Sequence, residues 1–322
     1  MKESFEIESY ALFKNVDETI LMLNPIILKD GYEFQAFGLE EIEQNFSNLY
    51  SLPNGYQSRM QIKFETGDTV SKEFYEVYQN HTLGDHILSD NYKIILLKKT
   101  KTFQKVIIDK KLQLGDSAYF SNKMKDFTSR LIMMLRLFKN GKIISPAQFQ
   151  ISKVNRHVWF KLTRNFVKSP TDKCYSLNYS EIEKLRDHLG QNFETNGLTR
   201  LAETYFENCY ELRDDNTKLI NLITALESIF NRSKDQISHI IARHLSLIIS
   251  TDHDEFEMNY KRIKKLYGYR SQIVHGQNLK IKEDIKEVID ELCDLTRKAI
   301  LYCMDLDMSK DELFNYLNSK GF

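Results

Sequence analysis

Cysteine is scarce in this chain: Cys174, Cys209, Cys293 and Cys303 are the only four in 322 residues. None forms a CxxC pair, which disfavours both a disulfide framework and a zinc site. Neither sign of charge is in excess. Lysine plus arginine and aspartate plus glutamate both number 45, for a formal net charge of zero. Global charge therefore does not announce a nucleic-acid binder, and any basic surface has to be local. No apolar run approaches the roughly 18–20 residues of a spanning helix, so no membrane segment is expected. Met1-Lys2-Glu3-Ser4-Phe5-Glu6 holds no apolar signal core. The expectation is a cytoplasmic protein with reduced thiols, in which a sequon such as Asn231-Arg232-Ser233 carries no weight. GxGxxG and GxxxxGK[ST] loops are missing, which disfavours dinucleotide and P-loop nucleotide binding, and there is no GxSxG elbow. No internal repeat or low-complexity tract occurs. Neither a cofactor nor a metal is expected.

What is there is a globular composition, 42% hydrophobic and 28% charged. It is arranged as an α+β chain that changes character near its middle. Residues 1–172 read as a β-rich N-terminal region for recognition, sensing or regulation. Phe5–Phe13, Thr19–Leu28, Tyr92–Leu97 and Phe103–Ile108 are predicted strands. Turn signals stand at Leu52-Pro53-Asn54-Gly55 and Gly67-Asp68. Lysines between Lys93 and Lys111 read as edge protection, with a nucleic-acid surface as the alternative. Ser117–Lys139 reads as an amphipathic helix, because Met124, Phe127, Leu131, Met134, Leu135 and Phe138 recur every three or four residues. Strands Phe149–Ile151 and His157–Leu162 follow. Ser169-Pro170-Thr171-Asp172 is the best boundary.

Residues 173–322 read as a helical bundle. Seven helices are expected: Ser180–Phe193, Asn196–Glu211, Asp215–Asn231, Ser233–Ser250, Phe256–His275, Ile281–Met304 and Ser309–Leu317. Ser180 with Glu183 suggests a capping box, and short connections favour antiparallel neighbours.

The helix ending at Gly276 carries the most compact chemical hypothesis, Arg270-Ser271-Gln272-Ile273-Val274-His275. Histidine moves protons near neutral pH and arginine holds phosphate. Ser271 lies one turn before His275 and can hold the imidazole in one tautomer. The helix C-terminus favours imidazolium, and a nearby Arg270 opposes it. The bland alternative is an ordinary C-cap with a solvated arginine. Between Met258 and Lys282 there are seven cations, Lys261, Arg262, Lys264, Lys265, Arg270, Lys280 and Lys282, and no acid. Such an island suits a phosphate backbone, or is the polar face of an amphipathic helix. Tyr260, Tyr267 and Tyr269 can stack bases or pack between helices. His239 and His244 have four residues between them rather than the three of a zinc-protease helix. They read as ordinary helix residues. Asp214-Asp215 reads as a helix start.

Three blocks in order, Ala225-Leu226-Glu227-Ser228-Ile229-Phe230, Ile237-Ser238-His239-Ile240-Ile241-Ala242-Arg243 and Tyr269-Arg270-Ser271-Gln272-Ile273-Val274-His275-Gly276, resemble the ApeA-like branch of the HEPN domains. Leu135-Arg136-Leu137-Phe138-Lys139-Asn140-Gly141 resembles the segment preceding that module. The resemblance covers the C-terminal half and reaches residues 1–115 only faintly. It implies a dimeric helical bundle whose two R-x4-6-H motifs build one composite site, with RNA as partner and an unidentified trigger or inhibitor. It implies a metal-independent endoribonuclease cleaving RNA by 2′-OH transesterification, in phage defence or as a toxin-like effector. Arg270 and His275 match its catalytic motif. Ser271 stands where Asn, Asp or His is frequent, and Glu227 matches a recurring acid that orients the arginine or is merely structural. The expected RNA contacts are Lys261, Arg262, Lys264, Lys265, Tyr269, Lys280 and Lys282. The alternatives are a non-catalytic module that binds RNA or nucleotide, and a structural dimerisation module of a defence complex.

Overall fold

The computed structural model describes residues 4–45, 61–63, 69–71, 94–104, 107–108, 111–112, 115–154, 157–164, 174–191, 197–232, 235–276 and 283–321. The Leu52–Gly55 and Gly67-Asp68 turns lie outside them. The boundary at Ser169–Asp172 does too, as do Lys280 and Lys282. Contacts gather the chain into two compact units, both discontinuous in sequence. One comprises Met1–Asp126, Ile144–Ser169 and Tyr175–Leu177, and the other Phe127–Ile143, Pro170–Cys174 and Asn178–Phe322.

The first unit is built on a five-stranded antiparallel sheet in the order β2-β5-β1-β8-β9. Its strands are β1 (Ser4–Lys14), β2 (Tyr32–Phe37), β5 (Ile94–Gln104), β8 (Ile144–Val154) and β9 (His157–Arg164). Two short ribbons, β3 (Gln61–Lys63) with β4 (Thr69–Ser71) and β6 (Ile107–Ile108) with β7 (Lys111–Leu112), stand apart. One face of the sheet buries Tyr10, Leu12, Leu96, Ala147, Phe149 and Ile151. Ile42, from helix α2 (Leu39–Asn45), joins that cluster.

Two expectations fail in this unit. Thr19–Leu28 is helical, not a strand: 3-10 turns at Glu18–Leu23 and Leu28–Asp30 flank α1 (Asn24–Ile27). The Asp17 carboxylate accepts the Thr19 N–H at 3.0 Å, Pro25 lies in the first turn of α1, and Gly31 ends the run at φ 76°. Cap and proline outweigh the β-propensity of the apolar run. The edge reading fails for Lys98 and Lys99 as well, because at those positions β5 pairs with β1 on one side and β2 on the other, whereas Lys101 lies beyond the end of β2. Lys98 bonds Glu8 at 2.7 Å, and Lys99 donates to the Asp30 carbonyl at 2.8 Å while its ammonium covers the Tyr32 ring.

The long amphipathic helix α3 runs Gly115–Phe138, and its residues from Phe127 onward belong to the second unit. The rest of that unit is α4 (Tyr179–Gln191), α5 (Arg200–Glu211), α6 (Asp215–Phe230), α7 (Ile237–Ile249), α8 (His253–Val274), α9 (Ile285–Met304) and α10 (Lys310–Ser319). Helix α6 is the hub: it contacts α5, α7, α8, α9 and α10 and buries Leu219, Leu222, Ile223, Leu226, Ile229 and Phe230. Asp214, Asp252, Asp284 and Ser309 each accept a backbone N–H at the start of α6, α8, α9 and α10. At α4 the reciprocal cap is Asn178 with Glu181, not Ser180 with Glu183: Asn178 accepts the Glu181 N–H and Glu181 accepts the Asn178 N–H, both at 3.0 Å. Among the described residues no helix is long and apolar enough to cross a membrane.

Candidate functional site

Helix α8 ends as its sequence dictates. The His275 N–H bonds the Ser271 carbonyl at 3.1 Å and the Gly276 N–H bonds the Ile273 carbonyl at 3.0 Å. Gly276 takes φ 65°, the left-handed conformation that terminates helices and that glycine adopts without strain. His275 is therefore the C-cap residue, and it is exposed beside Val274, which is 49% exposed.

Arg270 faces inward toward α6. Its guanidinium stands 3.6 Å from Glu227 and 5.8 Å from the centre of the Tyr267 ring. The Tyr267 hydroxyl donates to the other Glu227 oxygen at 2.8 Å. Burial first, then the hydrogen bond to Glu227, push the Tyr267 phenol up to about 12, so it stays a donor at neutral pH. The Arg270 Nε is buried without a hydrogen-bond partner. Arg270 is thus held by one long ion contact and an aromatic face while part of its donor fork is unengaged.

On an ideal helix Arg270 and His275 are about 140° apart and separated by ~7.5 Å of rise. The structure assigns them different environments: Arg270 is half-buried against Glu227, and His275 is exposed at the helix end. Ser271 is half-buried, and among the described residues no hydrogen bond joins its hydroxyl to His275.

Among the described residues of the basic island, Lys261, Arg262 and Lys265 are paired with carboxylates. Arg262 chelates Glu291 through Nε at 2.8 Å and Nη2 at 2.5 Å, and its Nη2 also meets Glu283 at 2.6 Å. These two carboxylates, Glu291 first, raise the Arg262 pKa further. Lys265 pairs with Glu283, and Lys261 pairs with Glu257 at 3.1 Å. Glu283, gathering Arg262, Lys265 and the Tyr269 hydroxyl, is held down at about 2, with Arg262 the main cause. Tyr269 is only 5% exposed and is engaged at its hydroxyl, so its ring is not presented for base stacking. Lys264 is exposed, with its ammonium 5.7 Å from the Tyr260 ring. The sequence window ended one residue before Glu283, and Glu291 is 29 positions from Arg262. No local pattern exposes that pairing. Tyr267, by contrast, was legible as a partner of Arg270 from its i, i+3 spacing.

The remaining histidines divide. His244 is buried, bonds Asn318 through Nε2 at 3.0 Å and has its pKa lowered by burial, as befits a core residue. His239 is exposed, and its Nδ1 lies 2.7 Å from the Tyr260 hydroxyl. A depression at the starts of α6 and α9 is lined by Asp214, Asp215, Glu283 and Asp284. Arg213 also lines it, and Glu283 there is paired with Arg262 and Lys265. Among the described residues no group of three or more His, Cys, Asp or Glu side chains is placed to hold a metal ion. No family model and no solved structure matches the chain.

Proposed function

We propose that this chain is a metal-independent endoribonuclease acting in phage defence or as a toxin-like effector, with its site completed by a second copy of the chain. The observation that carries the reading is the end of α8. An arginine with a buried, unengaged Nε sits against Glu227 and Tyr267, and an exposed histidine caps the same helix five residues on. The HEPN resemblance of the three sequence blocks supplies the reaction. The ribose 2′-hydroxyl gives its proton to a base and attacks the adjacent phosphorus. The bond from phosphorus to the 5′-oxygen breaks, leaving a 2′,3′-cyclic phosphate and a 5′-hydroxyl. His275 serves the proton transfers, and Arg270 stabilises charge growing on the non-bridging oxygens. Because Arg270 and His275 occupy different sides of one helix, pairing with a second copy is the simple way to bring an arginine and two histidines to one phosphate.

The test is incubation of RNA with the protein and EDTA, with and without extract from infected cells as trigger. Wild type yields fragments ending in 2′,3′-cyclic phosphate and leaves DNA uncut. His275→Ala and Arg270→Ala each lose about 100-fold or more. Equal cleavage by His275→Ala, or no cleavage by wild type in either condition, overturns the proposal. A second reading, a non-catalytic module for RNA or for dimerisation, is favoured by the pairing of Lys261, Arg262 and Lys265 with carboxylates. RNA binding or dimer formation by wild type with no cleavage in either condition, unchanged in His275→Ala, would select it.

A further inference from the structure

Helix α8 has two flanks of opposite chemistry. On one, Arg262, Lys265 and Tyr269 turn to Glu283 and Glu291. The other is a stripe with steps of three and four residues, His253, Phe256, Tyr260, Lys264, Tyr267, Ser271 and His275, which places all seven on one side of the helix. Its rings repeat with near-parallel planes: His253 to Phe256 is 6.5 Å at 17°, and Phe256 to Tyr260 is 6.2 Å at 21°. His239 reaches in from α7, edge-on to Tyr260 at 5.7 Å and bonded to its hydroxyl. His239, His253, Lys264 and His275 are exposed, and Tyr260 and Tyr267 are half-buried. Two carboxylates on this side are engaged: Glu227 by Tyr267 and Arg270, and Glu257, which lies within the stripe, by Lys261.

We infer that this stripe is a binding track for unpaired RNA, which takes bases on Tyr260 with His239 and His253 and leads the strand toward the Arg270–His275 end. Two features favour a single strand over another protein. Aromatic faces stack any base, Lys264 offers a cation to its backbone, and the histidine rings offer hydrogen-bonding nitrogens. A duplex keeps its bases stacked on each other and cannot use the rings. From Tyr260 to His275 the helix rises ~22 Å, room for a few nucleotides beside the scissile phosphate. The cleaving end of the track rests on the function proposed above, but the binding part does not.

The experiment uses the full chain carrying His275→Ala, so that bound RNA stays whole. Fluorescence anisotropy at one fixed salt concentration measures an oligoribonucleotide of about twelve residues, single-stranded and annealed to its complement. The single strand binds more tightly. Tyr260→Leu weakens it about tenfold, Tyr260→Phe keeps the ring and binds within about twofold, and Met258→Ser, exposed on the far side of α8, changes nothing. His239→Ala is the second variant: the His239 side chain touches α8 only at Tyr260 and is exposed, so its removal spares the buried core, and it lowers affinity severalfold even if Tyr260→Leu does not fold. Unchanged affinity in His239→Ala and in folded Tyr260→Leu overturns the track. So does a change of oligomeric state in sedimentation without loss of RNA affinity, which would make the stripe a contact between copies. Ring-dependent binding with no cleavage by the His275 protein would sink the nuclease reading alone. His275-dependent cleavage with ring-independent binding would sink the track alone.

Discussion

Arg270 is an arginine whose neighbours position it without exhausting it. Its contact to Glu227 is 3.6 Å, long for an ion pair, while Tyr267 holds the other carboxylate oxygen at 2.8 Å. The side chains of Arg270 and Glu227 are 26% and 17% exposed, so solvent screens the pair only partly. Glu227 is therefore either the group that aims Arg270 or an acceptor that serves Tyr267 alone. A double-mutant cycle separates these. Glu227→Gln and Arg270→Gln, singly and together, should show a coupling of about 1 kcal/mol in urea unfolding. A coupling near zero would assign Glu227 to Tyr267 only. The sequence exposed Arg270 and His275 because a helix end is a local event, written in His275-Gly276. It exposed Glu227 only through the likeness of its block to a family, because nothing in one sequence says that positions 227 and 270 meet.

At the scale of elements, the same division between local and distant signals holds. Asp214 and Ser309 cap the residue three places ahead, and the helices they open start where the sequence places them; α8 and α9 start at His253 and Ile285, not at the expected Phe256 and Ile281, because Asp252 and Asp284 are their caps. The strand expected at Thr19–Leu28 was misread because apolar content outvoted an equally local cap and proline. The pairing of α8 with α9 was out of reach, since its ion contacts cross a gap of up to 29 residues. That pairing has a pH signature. Glu283, ordinarily near 4.5, is held at about 2 by Arg262, Lys265 and Tyr269. A depressed acid contributes stability above its unfolded pKa and loses it as pH falls toward the folded one. The stability gap between wild type and Glu283→Gln should therefore be full at neutral pH, shrink from about 4.5 downward and vanish near 2. Because the site is solvent-exposed, about 1 M salt should shrink it as well. Thermal melts across that range check both, and a gap indifferent to pH would show that Glu283 clamps nothing.

For the whole molecule, the notable property is that the helical unit begins before the sheet unit has ended. Phe127–Ile143 groups with Asn178–Phe322, although β8 and β9 lie between them in sequence. Side-chain chemistry explains the grouping. Arg130 meets Glu203 at 2.7 Å with side chains 11% and 6% exposed, and the Thr199 hydroxyl donates to the same carboxylate at 2.7 Å. Six residues along α3, Arg136 meets Glu207 at 2.7 Å, donates to the Ile143 carbonyl at 2.8 Å and lies 4.1 Å from the centre of the Tyr210 ring. Burial pushes the Glu207 carboxyl up, and Arg136 is the chief opposing influence. The Arg130–Glu203 pair is buried on both sides, whereas Glu207 is 30% exposed, so solvent screens the second pair in part. A cut near residue 173 removes both arginines together with the buried Leu131, Met134, Leu135 and Leu137, and each large apolar side chain lost from a core costs about 2–5 kcal/mol. A fragment comprising residues 178–322 should therefore lack a cooperative thermal transition in circular dichroism, and adding a peptide comprising residues 127–143 should restore part of it. A fragment that melts cooperatively without the peptide would show that the helices after residue 178 are a self-sufficient bundle and that Arg130 and Arg136 are accessories to it.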